Sequence, residues 1–201
     1  MVVFLFLWVY LLCIVLINSY IHTSMANKDD EIIDLVNQND EAIGEVLKIK
    51  ANQDPSLIHR EVAVILFDCH NEVLFQQRSF QKAVWPGVWD ISCAGHVPKG
   101  MLPLQAAHME LIEELGFDTK LVFIEKTLAR IAKETHFIYW FIGKYDGQRI
   151  TLEKEEVEQV KFVSSDDLKQ ALNKGDEGRE GEAFVKRFWK GEFDNLLKQL
   201  S

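Results

Sequence analysis

What the chain lacks narrows it first. Its 201 residues hold only three cysteines, Cys13, Cys69 and Cys93, with no CxxC pair. Such a set argues against a disulfide scaffold or a cysteine-bound zinc finger, and fits a reducing compartment. Proline is scarce at four residues, and no repeat, low-complexity tract or Pro/Ser-rich linker divides the chain after Glu31. That argues against solenoids and strings of tethered domains. Positive charge is short as well: 22 Lys and Arg against 31 Asp and Glu leave a net charge of −9. A nucleic-acid polymer binder would show a basic face, so none is expected as a partner. A small phosphorylated ligand is compatible with this balance.

Charge is missing altogether from Val2 to Ile21, a run about long enough to span a bilayer. It has neither the basic start nor the short apolar core of a signal peptide. The nearest charges, Lys28, Asp29, Asp30 and Glu31, set no orientation by the positive-inside rule. Three readings stand for residues 1–24: a membrane anchor, an atypical signal, or sequence ahead of a true start at Met25, where MANKDDE reads as a cytosolic N-terminus. The expected location is cytoplasmic, with membrane attachment only if residues 2–21 are an anchor.

What is present, over 25–201, reads as one α/β unit with its core at about 58–175. EIIDLV (31–36) and AIGEVLKIK (42–50) suggest a leading hairpin around NQND. REVAVILFD (60–68) is a continuous apolar run, as expected of a strand buried on both faces, and EVLFQQR (72–78) would close a second hairpin with it. VWPGVWDIS (84–92) holds a Pro-Gly turn and then a strand. A helix is expected from about Leu104 to Leu115, with Leu104, Ala107, Leu111 and Leu115 as its core stripe and Gly116 as its left-handed cap. Strands follow at 120–131, 134–145 and 157–163, then helices over 166–172 and about 180–199. Many strands with a helix in the middle and helices at the end predict a mixed sheet covered on both faces.

The helix carries the chemistry. Glu110, Glu113 and Glu114 are spaced i, i+3, i+4 and so project from one face. Like charges that close repel unless a cation neutralises them. A hard divalent ion bound through oxygen, Mg²⁺ or Mn²⁺, would do so.

The run GHVPKGMLPLQAAHMELIEELGF (95–117) resembles the Nudix box, G-x5-E-x7-R-E-U-x-E-E-x-G-U with U apolar. Gly95 matches its first glycine, and Glu110, Leu111, Glu113, Glu114, Gly116 and Phe117 match its second half. Met101 and Met109 stand where the family has a glutamate and an arginine that brace each other. Because both charges are gone, neither is left unpaired, and two methionines can replace the brace by packing. The resemblance implies a Nudix-type α/β/α sandwich with a mixed sheet.

Within that family the chain is most similar to the branch holding type I isopentenyl-diphosphate isomerase and its hydrolase-like relatives, through QQRSFQKAVWPGVW, WDIS and CAGH. The resemblance implies diphosphate contacts from Arg78 and Lys82, a fork and a point charge respectively. It implies metal binding by Glu110, Glu113, Glu114, the Gly95 carbonyl, His59 and His96. Gly95 also belongs to the implied substrate-binding set. The isomerase needs a cysteine immediately before the box glycine and an E-x-E pair on the later strand. This chain has Ala94 there, with Cys93 one residue earlier, and it keeps Glu134 but has His136 in the second place. Hydrolysis at phosphorus needs only metal, carboxylates and water.

The expected activity is therefore metal-dependent hydrolysis of a diphosphate linked to another moiety. Glu110, Glu113 and Glu114 would be catalytic with Glu156, which resembles the acidic loop site that supplies a further ligand or base; Glu158 lies beside it. Two alternatives stand: an isopentenyl-diphosphate isomerase-like enzyme, and a non-catalytic phosphate-ligand-binding module. Trp85, Trp89, Trp140 and Phe184 read as core or rim packing, and Cys93 as a small buried hydrophobe.

Overall fold

Alternation along REVAVILF settles how the sheet is covered. In the computed structural model, which describes residues 31–83, 85–131, 133–164, 167 and 190–200, this run is strand β3 (His59–Phe67). Val62, Val64 and Leu66 face one side and Ala63, Ile65 and Phe67 the other, and all six are buried. The preceding elements are β1 (Ile32–Val36), β2 (Ala42–Leu47) and a short helix α1 (Lys48–Ala51). After β3 come β4 (Val73–Arg78), β5 (Trp89–Asp90), β6 (Cys93–His96), α2 (Pro103–Leu115), β7 (Leu121–Ile131), β8 (Glu134–Lys144), β9 (Val157–Val163) and a C-terminal turn of helix, α3 (Asp194–Leu197). β1 and β2 form a separate antiparallel pair, and the other seven strands make one mixed sheet. β3 runs parallel to β8 in its centre; the other pairings are antiparallel.

The expected α+β class with a mixed sheet is what the structure has. On one face α2 seals Val62, Val64, Leu66, Leu74 and Phe141 with Ala106, Ala107, Leu111 and Leu115. On the other, Phe193 joins Ile65, Phe75, Ile138 and Ile142. The helices expected over 166–172 and about 180–199 lie outside the described residues, apart from 167 and 190–199.

Three expectations change. The leading hairpin ends at Leu47, and 48–51 are helical. Leu104 is 44% exposed rather than core, because it lines an open groove with Leu121, Phe123, Tyr139 and Phe141 of the sheet instead of packing closed against them; Ala106 and Glu114 are buried on the helix as well. β3 and β4 do not zip into a full hairpin, since they pair only at Phe67 and Val73. The buried Ser92 hydroxyl sits in the fork, donating to Leu74 O at 2.6 Å and accepting from Leu66 N at 2.8 Å. It thereby satisfies two backbone groups that the splayed strands cannot satisfy for each other. β6 enters the opening and pairs with β3, which brings Gly95 under the helix.

Helix α2 begins with Pro103 after the extended Leu102, and Gln105 Oε1 accepts the Leu102 N–H at 3.1 Å. It ends at Gly116, with φ of 77°. A side chain there would also collide with Thr151, 2.7 Å from where its Cβ would lie. The free carbonyls of the last turn are taken by the following loop: Thr151 N donates to Leu115 O at 2.8 Å and Glu153 N to Glu114 O at 3.1 Å. The loop carrying Glu156 is thus fastened to the helix carrying Glu113 and Glu114.

Candidate active site

The α2 glutamates converge on β6. Glu110 packs directly on Gly95: a Cβ there would lie 2.0 Å from Glu110 Oε1. Only glycine permits that approach. Glu114 is buried, at 6% exposure, and accepts a hydrogen bond from Gln76 Nε2 at 2.9 Å. The Cys93 thiol also hydrogen-bonds it. Burial pushes the Glu114 carboxyl up to about 7, and Glu156 adds to the rise against Cys93, Gln76 and Arg78. Burial likewise raises the Cys93 thiol, helped by Glu114, Glu110 and Glu113, so all three carboxylates lie around it. Cys93 is a protonated, inert thiol here rather than a nucleophile.

Lys82 and Glu156 meet across two loops, Nζ to Oε2, as an ion pair. Ser79 N donates to Glu156 O at 2.8 Å. Arg78, at the end of β4 beside a register shift against β9, acts on Glu114 and on Glu134. The structure therefore brings together Glu110, Glu113, Glu114, Glu156, Arg78 and Lys82. The glutamates themselves offer carboxylate oxygens, and burial makes the Glu114 carboxylate costly to ionise. Both features fit a hard divalent cation.

His59 and His96 gather elsewhere. Successive residues of β6 face opposite ways, Gly95 toward Glu110 and His96 toward Glu61. Register then assembles a second cluster, with Glu61 opposite His96 and His59 opposite His136. Glu61 Oε1 is 3.7 Å from His59 Nε2 and 3.3 Å from His96 Nε2, and its Oε2 is 3.6 Å from His136 Nε2. The His59 and His96 rings stack at 5.1 Å. His59, Glu61, His96 and Glu134 each offer a ligand atom, all within 4.8 Å of one another. The buried His59 Nε2 and His136 Nδ1 have no hydrogen-bond partner. Imidazole nitrogens beside carboxylates, one of them the orphaned His59 Nε2, are donors that could hold a transition metal.

Burial and the shared Glu61 carboxylate set the electrostatics of this cluster. Burial opposes ionisation of Glu61, yet His136, His96 and His59 hold it well below the usual carboxylate range. Burial lowers His96 to about 3 and also lowers His136. His59 is raised: burial works against it, but the Glu61 contact wins. Burial, then Glu61, pushes Glu134 up to about 7.

Sequence reasoning missed Gln76, Glu61 and His136 as members of these clusters, and Asn52, whose Oδ1 is 2.9 Å from His96 Nε2. Glu61 had a signal, since it shares a strand face with His59 two residues earlier; Gln76 had none. Met101 packs against the helix-side core, where the family has a charge. Trp89 and Trp140 are buried in the core, as expected. Trp85 is exposed, and Phe184 lies outside the described residues.

A family model described as the NUDIX domain matches residues 57–183. The chain belongs to the Nudix family. An uncharacterized Nudix hydrolase of Listeria monocytogenes is 33% identical over 165 residues, spanning 81% of this chain and 93% of that protein. An isopentenyl-diphosphate Delta-isomerase of Streptomyces coelicolor is 33% identical over 144 residues, 68% of this chain and 73% of that one. The solved structure of DR0079 from Deinococcus radiodurans shares the Nudix fold at a TM-score of 0.65 and 21% identity, covering 78% of this chain and 98% of its own. The NUDIX domain of Shewanella oneidensis NrtR, solved with ADP ribose, does so at 0.56 and 16%, covering 72% and 98%. Both hydrolases and isomerases thus stand among the relatives of this Nudix chain.

Proposed function

We propose that the protein is a metal-dependent Nudix hydrolase that cleaves a diphosphate linked to another moiety. One observation carries the reading: Glu110, Glu113 and Glu114 come together around Gly95 and Cys93, with Glu114 buried as a carboxyl. A cluster that costs the fold stability is explained by a cation it exists to hold.

Glu110, Glu113, Glu114 and the Gly95 carbonyl would hold Mg²⁺ or Mn²⁺, which supplies charge neutralisation on the phosphates and lowers the pKa of a bound water. Arg78 forks onto the diphosphate and Lys82 adds a point charge, orienting it against the carboxylates. Water attacks phosphorus, the bridging P–O bond breaks toward the leaving group, and a carboxylate takes the water's proton. Glu156, in the loop pinned to the end of α2, would complete the metal site or serve as that base, with Glu113 and Glu114 the other candidates for the base. His59, Glu61, His96 and Glu134 would form a second centre, suited by its imidazoles to Zn²⁺.

A second reading, an isopentenyl-diphosphate isomerase-like enzyme, is favoured by Glu134, a carboxyl near 7 that can exchange protons at neutral pH. Against it, the position before Gly95 is Ala94, and Cys93 is fully buried under α2. The test is a panel of nucleoside diphosphate sugars, dinucleotides, nucleoside triphosphates and prenyl diphosphates, with Mg²⁺ and with EDTA. Mg²⁺-dependent release of phosphate or a monophosphate supports hydrolysis. Proton exchange into a prenyl diphosphate with no phosphate release would replace it by isomerisation. Binding without turnover across the panel would leave a phosphate-ligand-binding module.

A further inference from the structure

Lys82 and Glu156 were assigned to different tasks, one to the phosphates and one to the metal and the water. The structure pairs them with each other. Their side chains are 28% and 11% exposed, and Glu156 is near enough to Glu114 to act on its carboxyl, so the pair lies beside the acidic cluster with access to solvent. The backbone beneath is fixed: Lys82 N donates to Ser79 O at 3.2 Å, Ser79 N to Glu156 O at 2.8 Å, and Glu156 N to Glu153 O at 3.0 Å. What remains free to move is the lysine's four-carbon stem, which can swing its ammonium by several ångströms without disturbing either loop.

We propose that Lys82 is a stand-in cation, which holds Glu156 until a divalent ion binds the carboxylates and is then handed to the diphosphate. Magnitudes favour the exchange. A part-exposed lysine–carboxylate pair is worth about 1 kcal/mol or less. A divalent ion held by several carboxylates brings twice the charge and displaces the lysine readily. The released ammonium then lies beside the metal with no carboxylate of its own, next to where the phosphates dock. Metal binding thus prepares the anion site, and each ligand strengthens the other. This rests on reading Glu156 as part of the metal site. It is tested by binding alone, so failure of hydrolysis and failure of the handover are separately visible.

The experiment is a pair of double-variant cycles by calorimetry on the full chain, with thermal unfolding to show that each variant is folded. In the first, Mn²⁺ is titrated into wild type, Lys82→Met, Lys82→Arg, Glu156→Gln and the Lys82→Met/Glu156→Gln pair. Lys82→Met should tighten Mn²⁺ about fivefold, the upper worth of such a pair; Lys82→Arg should stay at the wild-type value. The gain should vanish when Glu156 is already Gln. In the second, methylenediphosphonate is titrated without metal. Glu156→Gln should bind it more tightly than wild type, and more tightly than Glu110→Gln, which removes the same charge without freeing Lys82. That advantage should disappear in the Lys82→Met background. Equal or weaker Mn²⁺ binding by Lys82→Met would reduce the pair to a brace between loops and overturn the proposal. A gain that persists with Gln at 156 would make it a general charge effect and overturn it too.

Discussion

Replacing Glu114 by Gln should stabilise the metal-free protein while disabling it. Glu114 is buried, and burial raises its carboxyl from 4.5 to about 7. The folded state therefore keeps a proton that the unfolded state gives up between those values. Stability is full below about pH 4.5 and is lost as pH rises through 7. At about 1.4 kcal/mol for each tenfold in proton affinity, the loss at pH 8 is roughly 3 kcal/mol. Gln at 114 keeps an oxygen to accept from Gln76 Nε2 and removes the buried charge. Denaturant unfolding in EDTA should show the variant close to wild type at pH 5 and roughly 3 kcal/mol more stable at pH 8. Adding Mg²⁺ at pH 8 should raise the wild-type midpoint and leave the variant's nearly unmoved. Equal stabilities at both pH values, or a less stable variant at pH 8, would refute the claim that this carboxylate is held in the fold at a cost.

Other expectations follow from single contacts. Gly95→Ala puts a Cβ within 2.0 Å of Glu110 Oε1; it should cost at least about 100-fold in turnover and about 1–3 kcal/mol in stability, read by kinetics and denaturation. Asp40→Ala strips a node joining Arg60 Nε at 2.6 Å, Lys126 Nζ at 2.7 Å and Tyr139, and should destabilise the protein by about 3 kcal/mol near neutrality. Burial raises Asp40, but Lys126, Tyr139 and Arg60 hold it below its usual 3.8. Its contribution is present above that value and disappears as pH falls through the folded pKa, so wild type and variant should converge in acid. His59→Ala should remove a class of Zn²⁺ site in calorimetry while leaving Mg²⁺ binding intact; loss of both would merge the two clusters into one.

The box helix was legible because its signals are local. Period 3.6 and a trailing glycine predicted about Leu104 to Leu115, and the helix runs Pro103–Leu115. The sheet was legible from REVAVILFD, whose unbroken apolar run could only be buried on both faces. Two misreadings are local, the helical turn at 48–51 and the exposure of Leu104; the others are long-range. Glu114 was legible as a member of the carboxylate cluster, but not its burial or its bond from Gln76, far away in sequence on β4. The histidine cluster depends on the registers of β3 with β6 and β8, which no spacing along the chain encodes. The failed hairpin turns on Ser92, whose hydroxyl replaces the missing pairing between β3 and β4. The pairing of Lys82 with Glu156 joins two loops that the sequence treats as unrelated.

The most direct test of the central claim is the Mg²⁺-dependent turnover of Glu113→Gln and Glu114→Gln on whichever diphosphate the substrate panel returns. Each change removes one negative charge from the α2 cluster and keeps the side chain's shape. The account predicts that kcat falls by about 10²–10⁴-fold in each, with the fold intact by circular dichroism. Turnover within threefold of wild type in both variants would contradict it.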